Sequence, residues 1–180
     1  MRAFVAIEIS NEDIISSVKN LQSKINIDAR PVESKNFHFT LQFLGEISED
    51  LSQKIIHALH TIKFSSFSVN LKGLGVFPRA KSPRIIWIGT DVEGGKMLIH
   101  LAKKVEKILE PLGLIPDKSF KPHITIFRIK KKIGDISKEM DAQKTVEFGW
   151  QKVTSIKFKK SKLTPNGPIY TDLEDIKAIQ

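Results

Sequence analysis

Two short stretches of this chain repeat one arrangement of polar residues: His38 and Thr40 in FHFTLQFL, and His123 and Thr125 in KPHITIF. An imidazole has an unperturbed pKa of about 6.5, so near neutrality one of a pair can take a proton while the other gives one. That chemistry suits an in-line displacement at phosphorus. One histidine activates the nucleophile, the other protonates the departing oxygen, and each threonine hydroxyl can bond a non-bridging phosphate oxygen. No metal is called for when the leaving group is held in a strained ring. A single histidine in a strand is more often structural, and Thr is a common strand former; recurrence in two matching settings is what lifts this pair above that reading. His57, His60 and His100 lack such company, fall in helical patterns and read as surface or packing residues. HxT also lacks the third ligand and the supporting carboxylate that zinc sites favour.

Strand pleating sets what the motifs can present. In residues 37–44 it puts His38, Thr40 and Gln42 on one face and Phe37, Phe39, Leu41 and Phe43 on the other, the aromatic face belonging in a core. In the second stretch His123, Thr125 and Phe127 share a face while Ile124 and Ile126 point away. If a pseudo-twofold axis relates the two strands, the imidazoles face each other across a groove.

The surrounding elements recur in the same order. Arg2 to Ile9 reads as a strand, Ser10 as the cap of a helix running to about residue 26, and Ser48 as the cap of a second helix striped by Leu51, Ile55, Leu59 and Ile62. Phe67 to Phe77 reads as a strand or hairpin arm, with a loop from Pro78 to Pro83. From Arg84 the order begins again: RIIWIGT as a strand, a helix striped by Leu98, Leu101, Val105 and Ile108 and ended by Pro111, the HITIFRI strand, and a short helix over 136–140. Each first strand starts at nearly the same interval before its histidine. The spacing predicts a single domain over 1–180, internally duplicated at about 2–62 and 84–142, followed by two or three strands with a turn at Thr164–Pro168.

The chain has 180 residues, a formal charge of +9 and 41% hydrophobic residues, enough to build a core. It has no cysteine, which removes disulfides, thiolate metal sites and cysteine nucleophiles. The longest apolar runs are too short to span a bilayer, and the opening segment is too short for a secretory signal, so a soluble, cytoplasmic protein is expected, acting as a monomer. Positive charge of this size favours polyanionic or phosphorylated partners.

HFTLQFLG and KPHITIFR resemble the paired HxTx motifs of the two-histidine phosphoesterase superfamily, specifically its RNA 2′,3′-cyclic phosphodiesterase branch, also called 2′-5′ RNA ligases. RAFVAIEI, GLGVFPRAKSPRIIWIG and SKLTPNGPIY resemble that branch too, so the likeness covers nearly the whole chain. It implies an α+β fold of two pseudo-symmetric β-rich lobes flanked by helices, with sheets forming a V-shaped central groove. It implies metal-independent hydrolysis of an RNA terminal 2′,3′-cyclic phosphate to a 2′-phosphate, some members also joining RNA ends through a reversible 2′-5′ linkage, with no cofactor. His38 then corresponds to the proton donor and His123 to the proton acceptor, although the sequence alone does not assign those two roles. Thr40 and Thr125 match the motif threonines, and Arg128 matches an arginine near the phosphate. Strict pleating puts Arg128 on the wrong face, so a bulge or the strand's end has to re-aim it. Lys121 stands where an arginine is frequent, and Gln42 where a lysine is, which removes a cation from the His38 face.

Among the other basic residues, Lys130, Lys131 and Lys132 leave the second motif strand directly, and Arg79 lies before the second half. They are candidate RNA contacts alongside Lys121 and Arg128. Phe77 and Phe127 are candidates to stack on a base, with core packing favoured for Phe77. The rival readings are a phosphodiesterase acting on a small cyclic nucleotide or an ADP-ribose cyclic phosphate, and a non-catalytic RNA-binding module.

Overall fold

The computed structural model describes residues 1–180. Its helices begin where side chains satisfy otherwise orphaned backbone donors. The first helix, α1 (Glu12–Lys24), is capped by Asn11, whose side-chain oxygen accepts from the N–H groups of Asp13 and Ile14. The expected cap, Ser10, is occupied elsewhere: its backbone N–H donates to Gln151 Oε1 and its hydroxyl accepts from Gln151 Nε2. Helix α2 (Glu49–Leu59) is capped by Ser48 and α3 (Val92–Leu109) by Asp91, as their apolar stripes require. A short α4 (Ser137–Ala142) follows later in the chain.

The strands are β1 (Arg2–Glu8), β2 (Arg30–Pro31), β3 (His38–Glu46), β4 (Phe67–Arg79), β5 (Ser82–Thr90), β6 (Ile124–Arg128), β7 (Glu147–Val153), β8 (Ser155–Thr164) and β9 (Gly167–Lys177). The expected loop at Pro78–Pro83 is instead the end of a hairpin, in which Pro78 and Pro83 are register partners. A register shift falls just before Pro78, the kind of irregularity that tolerates a missing N–H.

All named strands pair antiparallel in the order β7-β4-β5-β6-β3-β1-β8-β9, with β2 beside β6. The order divides into two halves of four strands, each with its motif strand at the centre of the molecule. Those two strands, β3 and β6, are joined by one residue pair, Phe39 with Ile124. Extending that register by one residue in each direction sets His38 towards Thr125 and Thr40 towards His123. Helix α1 packs on β6 and β7, α3 on β3 and β4, and α2 on α3. One cluster of 36 buried residues joins these elements, including Phe39, Ile86, Ile88, Leu98, Val105, Ile124 and Ile126. The motif histidines belong to the opposite face of the strands, where the two halves meet as a groove.

Candidate active site

Each motif strand carries one extra residue just after its threonine. Against β1, His38 pairs with Glu8, Thr40 with Ala6, Gln42 with Val5 and Phe43 with Phe4, leaving Leu41 unpaired. Against β5, Thr125 pairs with Trp87, Phe127 with Ile86 and Arg128 with Ile85, leaving Ile126 unpaired. A bulge of this kind exchanges the faces of everything beyond it. Four of the expected orientations change as a result. Phe43, expected in the core, is 74% exposed and lies within 6.2 Å of the Phe4 ring. Gln42 does not share the His38 face at all: it is buried, with Nε2 donating to the Leu114 carbonyl. Phe127 is 2% exposed in the core and offers no stacking surface. Arg128 is turned to the groove, where its charge acts on His38, His123 and Tyr170. A sequence signal for the second bulge exists, since Ile126 and Phe127 are consecutive core-type residues in an alternating strand.

The two imidazoles are anchored alike. His38 donates Nδ1–H to the Asn36 carbonyl at 2.7 Å, and His123 donates Nδ1–H to the Lys121 carbonyl at 2.6 Å. A carbonyl can only accept, so the bond fixes the tautomer and leaves each Nε2 as the free nitrogen. Aromatic rings line both. Phe4 lies 5.2 Å from His38, and Tyr170 meets it edge-on at 5.4 Å. On the other side Phe77 meets His123 edge-on at 5.1 Å and Trp87 lies 6.1 Å away. Phe77 is therefore a site residue rather than a core one. The Trp87 indole rests on Gly75, where an added Cβ would come within 2.0 Å of its ring.

Burial pushes His38 down to about 4, opposed by its bond to Asn36 and reinforced by the charges of Lys159, Arg128 and His123. His123 is also held below its ordinary value, by burial first and Arg128 second, against its bond to Lys121. Both are neutral at pH 7 in the free protein, His38 by the wider margin.

Lys121 is exposed, with Nζ 6.0 Å from the centre of the Phe77 ring. Lys130, Lys131, Lys132 and Arg79 are exposed as well, and none is among the charges that shift either histidine. Glu8 and Tyr170, which surround His38 together with Lys159, lie in RAFVAIEI and SKLTPNGPIY, segments whose likeness to the family singles out neither residue. Lys159 sits in the run KFKKSK, whose lysines read in the sequence as part of an RNA path or, more often for such a run, as a solvated face. No group of three or more His, Cys, Asp or Glu side chains converges as metal ligands, and no helix is long and apolar enough to cross a membrane. A shallow depression between α2 and the end of α3, lined by Gln53, His57, Ile108 and Pro111 among others, holds no comparable set of groups.

Comparison with known proteins agrees with the geometry. A curated RNA 2′,3′-cyclic phosphodiesterase of Archaeoglobus fulgidus is 37% identical over 175 residues, covering 96% of this chain and 98% of that protein. One of Aquifex aeolicus is 40% identical over 185 residues, covering 97% and 96%. Among solved structures, TT0787 of Thermus thermophilus superposes with a TM-score of 0.83 at 30% identity, covering 98% of this chain and 97% of that one. E. coli LigT complexed with 3′-AMP gives 0.78 at 25% identity, covering 99% and 98%. The description LigT-like phosphoesterase fits twice in succession, over residues 7–87 and 88–170, one match to each HxT strand, and the chain belongs to that family.

Proposed function

We propose that this protein is a phosphodiesterase that opens the 2′,3′-cyclic phosphate at the end of an RNA chain and leaves a 2′-phosphate. The observation that carries this reading is the matched tethering of the imidazoles: with both Nδ1–H groups bonded to carbonyls, both Nε2 atoms remain for the substrate. The Archaeoglobus and Aquifex relatives bear the name of that activity.

In the reaction, a water oxygen attacks phosphorus while His123 Nε2 takes the water proton. The P–O3′ bond breaks, and His38, in its protonated form, gives its proton to O3′. The products are a 2′-phosphate and a 3′-hydroxyl, and exchange with solvent resets the pair. Thr40 and Thr125 hydroxyls donate to the non-bridging oxygens, and the Arg128 guanidinium balances charge growing on the phosphoryl group. His38 is neutral in the free protein, so its proton enters with the phosphate, whose negative charge favours the imidazolium. The reaction drawn this way needs neither metal nor cofactor. With a nucleoside 5′-hydroxyl produced in place of O3′ as the leaving group, or attacking in place of water, the same two histidines serve reversible 2′-5′ joining.

RNA is the favoured substrate because Phe43 stands exposed near His38 as a stacking surface, and Lys121, Lys130, Lys131, Lys132 and Arg79 offer phosphate contacts. In this reading the protein is one domain with an internal duplication at about 2–62 and 84–142, a division supported by the two successive family matches. In this reading it works as a cytoplasmic monomer.

The test is incubation of purified protein, in excess chelator, with RNA ending in a cyclic phosphate. The expected product is a 2′-phosphate that a 3′-specific phosphatase leaves intact. A 3′-phosphate reverses the leaving group, and dependence on a divalent ion replaces the metal-free scheme. A mononucleotide substrate is the second reading, favoured by the E. coli LigT structure with 3′-AMP. An RNA-end enzyme has higher kcat/KM on an oligonucleotide than on a mononucleoside cyclic phosphate, the gap narrowing as salt rises by about 0.7 log units per contact per log unit of salt. Binding of RNA with no turnover identifies a non-catalytic module.

A further inference from the structure

Lys159 on β8 has only 5% of its surface exposed, a setting in which an ammonium group persists when it is paired. Its partners are the carboxylates of Glu8 on β1 and Asp172 on β9, both in direct contact with Nζ. Strand register explains the meeting. Lys159 is opposite Phe4 on one side and Asp172 on the other, on the face that carries His38. Glu8 is the register partner of His38 itself. A carboxylate directly across a strand pair from an imidazole ordinarily pairs with its protonated form. Here the Glu8 carboxylate is turned to Lys159, and the His38 hydrogen bond runs the other way, to the Asn36 carbonyl.

We propose that Lys159 is a positioning residue of the phosphodiester site: it draws Glu8 away from His38, so that Nε2 of His38 stays unpaired in the free protein and open to the substrate phosphate. Without that capture, the acid–base nitrogen would be held by a carboxylate in place of a phosphodiester, and like charges would repel the ligand. The charged and titratable groups around His38 are Glu8 from β1, Lys159 from β8, Tyr170 and Asp172 from β9, Arg128 from β6, and His123 just before β6. Tyr170 is neutral, pushed up by burial. Asp172 stays anionic: burial works to raise it, and its bonds to Lys159 and Lys157 outweigh that. The Lys159 charge is among those that keep His38 low. The consequence for turnover rests on the reading of His38 as a proton donor; the ionisation of His38 does not.

The experiment follows the His38 imidazole by NMR through a pH titration of the full chain, in wild type, Lys159→Met, Lys159→Arg and Lys159→Met/Glu8→Gln. Wild type is expected to titrate well below 6.5. Lys159→Met should raise His38 by one pH unit or more, because a cation is lost and Glu8 is released to the imidazole. Lys159→Arg should stay with wild type, and adding Glu8→Gln should take back most of the rise. If Lys159→Met does not fold, Lys159→Met/Asp172→Asn, which removes the second carboxylate left without its cation while still releasing Glu8, carries the same comparison. An unmoved His38 in the uncharged variant overturns the proposal, and so does a rise that Glu8→Gln leaves intact. In turnover, the limb of the kcat/KM profile that belongs to His38 should move by the same amount, whereas a merely loosened fold would lower activity at every pH without moving the titration. If wild type hydrolyses no cyclic phosphate, the functional reading above falls, and the NMR comparison still decides the role of Lys159.

Discussion

The His38 half and the His123 half share a motif, a carbonyl tether two residues upstream and a bulge after the threonine, yet they surround their histidines differently. His38 lies against Phe4 and Tyr170 with a buried lysine nearby, and is driven down to about 4. His123 faces Phe77 and Trp87 and is held down by burial and Arg128, without Lys159 among the causes. Five residues after each histidine the bulge aims a side chain into the groove, and there one half has Phe43 and the other Arg128. The backbone is thus repeated while the side chains are divided, with an aromatic surface on one side and a cation on the other. A symmetric frame can therefore hold an asymmetric ligand such as a phosphorylated nucleoside, and two chemically identical groups can take opposite roles because their surroundings differ.

Removing each histidine in turn should show the largest difference between intact and altered halves. His38→Ala and His123→Ala should each lower kcat by about 10²–10⁴-fold, since the proposed mechanism moves both protons in one displacement. Circular dichroism and thermal melts check that folding survives. Near wild-type turnover in either variant ends the paired mechanism, and equal loss in both supports the division of roles over a single essential base.

The two groove-facing residues beyond the bulges come next. Arg128→Met removes the proposed charge-assisted contact to the phosphate, worth about 1.5–3 kcal/mol, so kcat/KM should fall roughly 10- to 150-fold on every substrate. Phe43→Ala should cost a similar or smaller factor, about 1–3 kcal/mol per stacked base, and only on substrates that carry a base. Assays on a nucleoside cyclic phosphate and on a ribose cyclic phosphate without a base separate the two. Loss on both substrates from Phe43→Ala would mean that the halves do not divide base from phosphate.

The pH profile tests the difference in environment. In the proposed mechanism one histidine is protonated and the other neutral, so kcat/KM should report their values in the free protein. With His38 at about 4 and His123 below 6.5, the bell should lie on the acid side of 6.5 and fall about tenfold per pH unit above it. The bound anion raises both values, so the kcat profile should sit at higher pH than that of kcat/KM. Folding responds in the same direction. The folded His38 value lies below its unfolded one, the unfolded chain binds more protons between them, and stability is lost as pH falls from about 6.5 towards 4. At about 1.4 kcal/mol per unit this reaches roughly 3 kcal/mol in His38's share, and His38→Gln should flatten that part of the dependence in denaturant titrations. A kcat/KM plateau extending to pH 8 would contradict the low values.

Much of this was legible from local pattern. The helices α1, α2 and α3 followed from apolar spacing, and the two HxT strands from alternation. The exceptions share a cause. Ser10 looks like a helix cap until Gln151, 141 residues away, takes its backbone N–H and hydroxyl, and the cap moves to Asn11. Pro78 and Pro83 look like a loop until the hairpin register sets them opposite each other. Phe43, Gln42, Phe127 and Arg128 changed face because a bulge is a property of two strands, and the unpaired residue cannot be identified from one strand's alternation.

Covalent order alone supplies the groups available for chemistry: two imidazoles and two hydroxyls, each His–Thr pair two residues apart, with no thiol in the chain. Those follow from covalent spacing and the period of the pleat, which are local. Tertiary structure decided which way Arg128 and Phe43 point, which histidine is the less basic, and that Lys159 belongs beside His38. Each of those depends on partners far along the chain: Ile85 and Phe4 across the register, and Glu8 bonded to a lysine 151 residues later. Burial, and with it the cost of charge, is a property of the assembled fold, so the difference between two identical motifs exists only once the strands have come together.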